Sequence, residues 1–458
     1  MNRDAALEYL WNRIDYERAL VIPYSDWDYK LQRMRDLLDR LGRPQDRLPI
    51  VHVAGTKGKG STSAMIAAML TAAGHRTGLF TSPHLQSIEE RFQIDGVPCP
   101  GDQLGELVAR IKPVLAEMDA LARSAEHEIG PTFFEVTTAL ALMHFERAQV
   151  DAAVLEVGLG GRLDSTNVCQ PRVSVITSIS YDHMKQLGNT LTEIAGEKAG
   201  IIKPGVPVIS GVTTEEARVV VQRRSDEHGC HCVQLGREFT FDYTPAKLVD
   251  VQEASPTIDF RAQSGHFQRL DRVALGLLGR HQGANAAVAL ATVNELIRQH
   301  WQIDEAAVRR GLAQVRWPAR IELLARRPTV VLDAAHNVAS IAALLETLAE
   351  SFRPRERVLI FASTRDKDLP GMLKLLVPAF DRIVLTQYTQ NPRRIEPAEL
   401  LATARQVVDP RLVDERCTIA TSPEQAWQLA HASARPDDLI CITGSFFIAA
   451  EMKTLITR

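Results

Sequence analysis

Short runs rich in Val and Ile recur along this chain, separated by longer stretches whose apolar residues fall three and four apart. That alternation predicts buried strands joined by helices, the pattern of a parallel α/β sheet. The first series covers residues 50 to about 215, with a short strand running from Pro49 into a glycine-rich turn, a helix opening near 62, a strand ending at 81, and further strands at 151–157, 171–178 and 207–210. A Glu- and Arg-rich helix and shorter strand-like pieces such as 238–242 follow, and read as a β-rich extension of the same domain. Helices at 283–299 and 304–314 close it. A second series starts after Pro318, which breaks the preceding helix, with strands at 329–332, 357–361, 382–385, 417–420 and 438–443. Five strands with helices between them predict a smaller, doubly wound second domain. The expected boundaries are 1–314 and 321–458, with a linker at 315–320.

At 458 residues, 45% hydrophobic and 24% charged, the chain has the composition of an ordinary soluble protein with sizeable cores. Its net charge of -3 removes the overall basic excess of a nucleic-acid binder with a large phosphate-contacting surface. No secretory signal or membrane-spanning segment is expected, so the expected location is cytoplasmic. The cysteines lie at 99, 169, 230, 232, 417 and 441 with no Cys-x-x-Cys pair; reduced thiols are the expectation, since Cys230-His231-Cys232 lacks a second ligand pair at zinc spacing.

Chemistry concentrates where predicted strands end. His52-Val-Ala-Gly-Thr-Lys-Gly-Lys-Gly-Ser-Thr62 reads as strand, glycine-rich turn and helix start, the geometry of a phosphate cradle. Gly55, Gly58 and Gly60 allow a tight turn with inward N–H groups, Lys59 reaches outer phosphates, and Ser61 and Thr62 offer hydroxyls. The strict GxxxxGK[ST] spacing is broken by Val53 and Gly60. Glu156 ends an apolar strand before Gly158-Leu-Gly-Gly-Arg-Leu-Asp164, and a carboxylate there is either a Mg²⁺ ligand or a surface residue beside a turn; the cost of a casual carboxylate on so apolar a strand favours the ligand. His183 follows the next strand on the same rim as Lys59 and Ser61, which allows a shared metal site. Lys198 lies on a small, apolar helical face; its alternatives are snorkelling to solvent or, with a lowered pKa, reaction with CO₂ to a carbamate. Ser82 is a further hydroxyl at a strand end. Thr132 and Glu135 fit a capping box, and Phe133 and Phe134 read as core. Asn285, Arg320 and Asp333 recur at a helix start, in the linker and at a strand end; caps and loop hydrogen bonds account for Asp333 and Asn337 as cheaply as ligand contacts.

Together with Thr81-Ser-Pro-His-Leu85, Thr132-Phe-Phe-Glu135, Glu156-Val-Gly-Leu-Gly-Gly-Arg-Leu-Asp-Ser-Thr-Asn-Val168, Asp182-His183, Glu197-Lys-Ala-Gly-Ile-Ile-Lys-Pro-Gly205 and Asp333-Ala-Ala-His-Asn337, the phosphate turn resembles the folylpolyglutamate synthase and dihydrofolate synthase family within the Mur-ligase-like ATP-dependent amide ligases. The resemblance runs from about residue 5 to the end. It implies an N-terminal P-loop-type ATPase domain and a C-terminal Rossmann-like glutamate-ligase domain. It also implies an ATP- and Mg²⁺-dependent reaction in which a carboxylate of tetrahydrofolate, or of dihydropteroate, becomes an acyl phosphate and is attacked by L-glutamate. Carried over by position, residues 58 to 61 hold the ATP phosphates with Lys59 on the transferred one, and Asn285, Arg320 and Asp333 contact nucleotide. Ser82, Glu156 and His183 match Mg²⁺ ligands, and Lys198 matches a lysine carbamylated to support a second ion. No nucleic acid or membrane is implied as a partner, and nothing demands more than a monomer.

The chain departs from the usual family pattern at Lys57, where many bacterial members have Asn, and at Ala334 and Val338, where Gly and Pro are common. Ala334 is harmless if its φ is negative. The competing readings are a related ligase acting on peptidoglycan precursors and a nucleotide-binding regulator that has lost chemistry. The Glu156–Asp164 run opposes the first, and retention of Lys59, Ser82, Glu156, His183 and Lys198 opposes the second.

Overall fold

Eight strands build the first sheet: β1 (Ile50–Ala54), β2 (Thr77–Phe80), β3 (Phe92–Ile94), β4 (Val97–Pro98), β5 (Ala152–Glu156), β6 (Val173–Ile176), β7 (Val208–Ser210) and β8 (Cys232–Gln234). Their order is β4-β3-β2-β5-β1-β6-β7-β8. All neighbours from β2 to β8 run parallel, while β3 and β4 add an antiparallel hairpin at one edge. Helices cover both faces, which is why β1 and β5 are buried at every position and carry continuous apolar runs. The computed structural model describes residues 1–16, 31–124, 129–389 and 391–457.

Connections from β1 lead to one side of the sheet and those from β6 to the other, so the winding reverses between these neighbours. In open α/β sheets that reversal opens a crevice at the carboxyl ends of the strands. On one side of the crevice, the helices Gly101–Ser124 and Phe133–Arg147 bury Leu107, Ile111, Leu115, Val136 and Leu140 against Phe80 and Leu155. On the other, Ile194, Ala195 and Ala199 of the helix Leu191–Ala199 join Ile176 and Val208 in a second cluster.

Three strands, β9 (Phe239–Thr244), β10 (Thr257–Ala262) and β11 (Arg269–Ala274), form a separate sheet ordered β11-β10-β9, the β-rich extension expected from sequence. The last sheet comprises β12 (Glu322–Arg326), β13 (Thr329–Leu332), β14 (Arg357–Phe361), β15 (Arg382–Leu385), β16 (Cys417–Ile419) and β17 (Leu439–Thr443), ordered β12-β13-β17-β14-β15-β16. Its five parallel strands match the predicted ones, and β12 adds an antiparallel edge. The chain divides into two compact units: residues 1–242, 258–273 and 283–315 make the first, and 243–257, 274–282 and 316–458 the second.

Periodicity alone did not reveal β3, β4 and β12. The first two have three and two residues, too short for alternation to register, and every residue of β12 is only partly buried, as suits an edge. Ala334 is absent from the residues with positive φ, so alanine costs nothing there. Among the described residues no helix is long and apolar enough to cross a membrane, and all six cysteines are free.

Helix Glu305–Gln314 packs against the helix Lys59–Ala72 that follows the glycine turn. Gly311 permits the approach: a Cβ there would lie 2.6 Å from Met69 Cα and 2.7 Å from the Ala68 carbonyl oxygen. Gly311→Val is therefore expected to destabilise the first unit by about 1–3 kcal/mol through overpacking, read as a lower midpoint for its transition in urea.

Candidate active site

The turn after β1 is shaped by two close approaches. Gly55 has φ +151° and a Cβ on it would fall 2.0 Å from Thr177 Oγ1; Gly58 has φ +83° and a Cβ there would meet Asn285 Oδ1 at 2.2 Å. A side chain at either position would push the turn out of the crevice. Gly58 is the N-cap of the helix Lys59–Ala72, and Thr62 N–H donates to Gly58 O at 2.8 Å. The N–H groups of Lys59, Gly60 and Ser61 precede that first intrahelical bond, so they stand at the positive end of the helix dipole, ready for an anion. Ser61 Oγ and Thr62 Oγ1 are buried with no hydrogen-bond partner among the described residues. Leaving a buried hydroxyl unsatisfied costs about 1–3 kcal/mol, a penalty that a phosphate or hydrated cation would relieve.

The far wall is the segment after β6. Thr177 N–H donates to Ala54 O at 2.9 Å, and Thr56 N–H to Ser178 O at 2.7 Å. Thr177 Oγ1 donates to Lys57 O at 2.7 Å, Lys57 N–H reaches Ser178 Oγ at 3.1 Å, and Thr56 Oγ1 joins Ser180 through both its carbonyl and its N–H. Residues 177 and 178 therefore leave the strand that the sequence reading extended over them.

Glu156 is the last residue of β5, opposite Val53 of β1, and is only 5% exposed. Its Oε2 accepts the Ser82 N–H at 3.2 Å, so the structure brings these two predicted ligands together. The glycine turn beyond Glu156 is held by Asp164, whose Oδ2 accepts the N–H groups of Gly158 and Leu159, each at 3.0 Å. Burial raises the Asp164 pKa, and hydrogen bonds from Thr166 and these amides oppose that shift. Thr166 Oγ1 donates to Asp164 Oδ1 at 2.5 Å and lies 2.8 Å from His52 Nε2. Complete burial, aided by the charge of Lys203, pushes the His52 pKa down to about 3, so its imidazole is neutral and donates from Nε2. Phe133 is core, as read; Phe134 is only partly buried, and its ring lies 2.6 Å from where a Gly158 Cβ would stand.

His183 adopts a left-handed conformation, φ +49°, just before the one-turn helix Met184–Leu187. Its N–H donates to Asp182 Oδ1 at 3.0 Å, and its side chain is 40% exposed. Lys198, in contrast, is buried and donates from Nζ to Gly55 O at 3.1 Å. Burial first, and the charge of Lys59 second, lower its pKa to about 7, which rules out a snorkelling side chain. Among the described residues no three His, Cys, Asp or Glu side chains gather as a metal cluster. Glu156, a single buried carboxylate beside Ser82, is the oxygen donor chemistry that suits Mg²⁺, which is bound through one or two carboxylates and completes its shell with phosphate oxygens and water.

Lys59, Ser61, Ser82, Glu156, His183, Lys198 and Asn285 all belong to the first unit. Arg320 and Asp333 belong to the second. There, Asp333 accepts the N–H groups of Ile321 and Ala335 at 2.9 and 2.8 Å; burial raises its pKa and the charge of Arg320 opposes the rise. Arg320 lies over the Phe446 ring at 5.8 Å. Asn337 caps the helix Val338–Ser351 by accepting from Ser340 N–H, the plain role allowed for it. Sequence reading missed the buried hydroxyls of Ser363, Thr386 and Tyr388, which follow β14 and β15 and have no hydrogen-bond partner among the described residues. It also gave no role to Thr177, Ser178 and Ser180, although a hydroxyl-rich exit from a buried strand was the available signal.

Residues 107–293 match the Mur ligase middle domain, and residues 319–446 match the Mur ligase glutamate ligase domain. The chain is 34% identical, over 92% of its own length and 94% of the relative's, to the dihydrofolate synthase/folylpolyglutamate synthase of Bacillus subtilis. It superposes on Mycobacterium tuberculosis folylpolyglutamate synthase complexed with ADP with a TM-score of 0.88 and 35% identity, covering 100% of this chain and 99% of that one. E. coli FolC in complex with DHPP and ADP gives a TM-score of 0.82 and 28% identity, covering 100% and 98%. With this identity sustained across nearly the whole length of both chains, and a glycine turn, carboxylate-ended strand and buried lysine set around one crevice, the protein belongs to the folylpolyglutamate synthase/dihydrofolate synthase family of ATP-dependent ligases.

Proposed function

We propose that this protein joins L-glutamate to tetrahydrofolate at the expense of ATP, with dihydropteroate as a second acceptor, and that the crevice between β1 and β6 is where ATP is cleaved. The observation that carries the reading is the pairing of buried, unpartnered Ser61 and Thr62 hydroxyls at a helix N-terminus with Glu156 on the adjacent strand. A carboxylate is a poor acyl donor until one oxygen becomes a phosphate leaving group. The folate carboxylate oxygen attacks the γ-phosphorus, the bond to the β-phosphate oxygen breaks, and ADP departs. The glutamate amine then attacks the acyl carbon, inorganic phosphate leaves, and the amine loses a proton as the amide forms.

In this reading the N–H groups of Gly58 to Ser61 hold the phosphates and Lys59 offsets charge on the transferred one. Mg²⁺ would neutralise charge between the phosphates and the carboxylate, held by Ser82, Glu156 and His183. Asn285, Arg320 and Asp333 are assigned to the nucleotide from their match to the family pattern. The amino acid is assigned to the second unit, whose Ser363, Thr386 and Tyr388 hydroxyls are suited to a small polar ligand. Lys198 is assigned as a carbamate supporting a second cation: its neutral amine attacks CO₂, a C–N bond forms and a proton is released. The carbamate nitrogen keeps one N–H, so its bond to Gly55 O survives the modification.

Purified protein should incorporate labelled glutamate into tetrahydrofolate only with ATP and Mg²⁺. Incorporation into dihydropteroate as well is expected; incorporation into tetrahydrofolate alone would remove the second acceptor, and incorporation into neither would overturn the reading. Carbamate needs the neutral amine, whose fraction rises with pH through about 7; a ¹³C carbamate signal from ¹³CO₂ should therefore grow between pH 6 and 8 and be missing in Lys198→Ala. That variant should lose about 100-fold or more in kcat and recover part of it with added formate; full activity without rescue would remove the carbamate.

A further inference from the structure

The phosphate turn carries a second lysine. Lys57 Nζ lies 2.5 Å from Asp182 Oδ2, and the other oxygen of the same carboxylate accepts the His183 N–H at 3.0 Å. Asp182 is 11% exposed and Lys57 31%, so water screens this pair less than an ordinary surface ion pair. The pair sits where it can matter. His183 holds an uncommon left-handed conformation for a residue with a Cβ, in a segment that is 40% exposed at His183, 56% at Tyr181 and 41% at Met184. Upstream, Ser178 is fixed to the turn by the Thr56 N–H and Ser180 by the Thr56 hydroxyl, and Asp182 meets the turn at Lys57.

We infer that Lys57 is a positioning residue for phosphoryl transfer: through Asp182 it straps the His183 loop to the phosphate turn, so that the imidazole meets the cation where the nucleotide phosphates present it. The inference rests on the reading of His183 as a cation ligand. Lys57 points its charge at the carboxylate and acts on His183, while Lys59 remains the lysine of the transferred phosphate. The two lysines of the turn thus have different duties although they lie two residues apart. Because Asp182 grips both Lys57 and the His183 backbone, removing either end of the strap should have the same consequence, and removing both should add nothing.

Steady-state kinetics and electron spin-echo spectroscopy of the ADP complex loaded with two equivalents of Mn²⁺ test this together. Lys57→Met should lower kcat by about 10- to 100-fold, as expected for a misplaced catalytic group, with KM for ATP changed by less than about threefold. The parent protein should show imidazole nitrogen modulation in its Mn²⁺ spectrum, and Lys57→Met should lose it. Lys57→Arg should keep both activity and modulation, Asp182→Asn should reproduce the loss, and the double variant should fall no further than the single ones. A raised KM for ATP with unchanged kcat would make Lys57 a direct phosphate ligand and overturn the proposal, as would additive losses in the double variant. His183→Ala separates the underlying reading: if the parent's nitrogen modulation persists in that variant, His183 is not the ligand, whatever Lys57 does.

Discussion

Buried hydrogen-bonding groups must be satisfied, and the turn after β1 meets that demand by bonding sideways to the segment after β6. A glycine turn left to itself has many conformations to lose. Here Thr177, Ser178 and Ser180 accept or donate to residues 54, 56 and 57, which holds the turn in place ahead of the helix that starts at Lys59. The helix-start N–H groups that precede the first intrahelical bond, with the Ser61 and Thr62 hydroxyls that have no hydrogen-bond partner among the described residues, are suited to an anion. The same contacts explain why glycine is required at 55 and 58, since Thr177 and Asn285 occupy the space a Cβ would need.

Electrostatics is arranged on that frame. Lys57, Lys59 and Lys198 gather near the turn, where the charges of Lys59 and Lys57 act on Lys198. They are not equivalent, because burial differs. Lys198 is nearly inaccessible and its pKa falls to about 7, while Lys57 is compensated by Asp182. Burial lowers the pKa of one lysine, and a carboxylate pairs with another. On the neighbouring strand, Glu156 keeps one oxygen on the Ser82 N–H and precedes a turn that Asp164, Thr166 and His52 stiffen from behind.

Much of the fold was legible in the chain because parallel strands buried on both faces leave continuous apolar runs. The strands at 152–156, 173–176 and 357–361 came within two residues of their predicted bounds. Where one face is wet or the strand is two or three residues long, the signal fades, and β3, β4 and β12 were invisible for that reason. The site was legible to the extent that its residues sit at strand ends or in glycine-rich turns. Ser363, Thr386 and Tyr388 also follow strand ends, but no glycine turn or charged neighbour singles them out, and each is an ordinary residue until the sheet buries its hydroxyl without a partner among the described residues.

By itself the sequence determined the alternation of elements, the two series of strands, the glycine turn and the chemical types available at each strand end, because these depend on neighbours a few residues away. Only the tertiary structure decided which of those types act on one another. The approach of Asn285 to Gly58, the burial that sets Lys198 on Gly55, and the sharing of Asp182 between Lys57 and His183 join residues as much as 227 positions apart. Side-chain pKa values and unsatisfied hydroxyls follow from desolvation and distance, which no local pattern encodes.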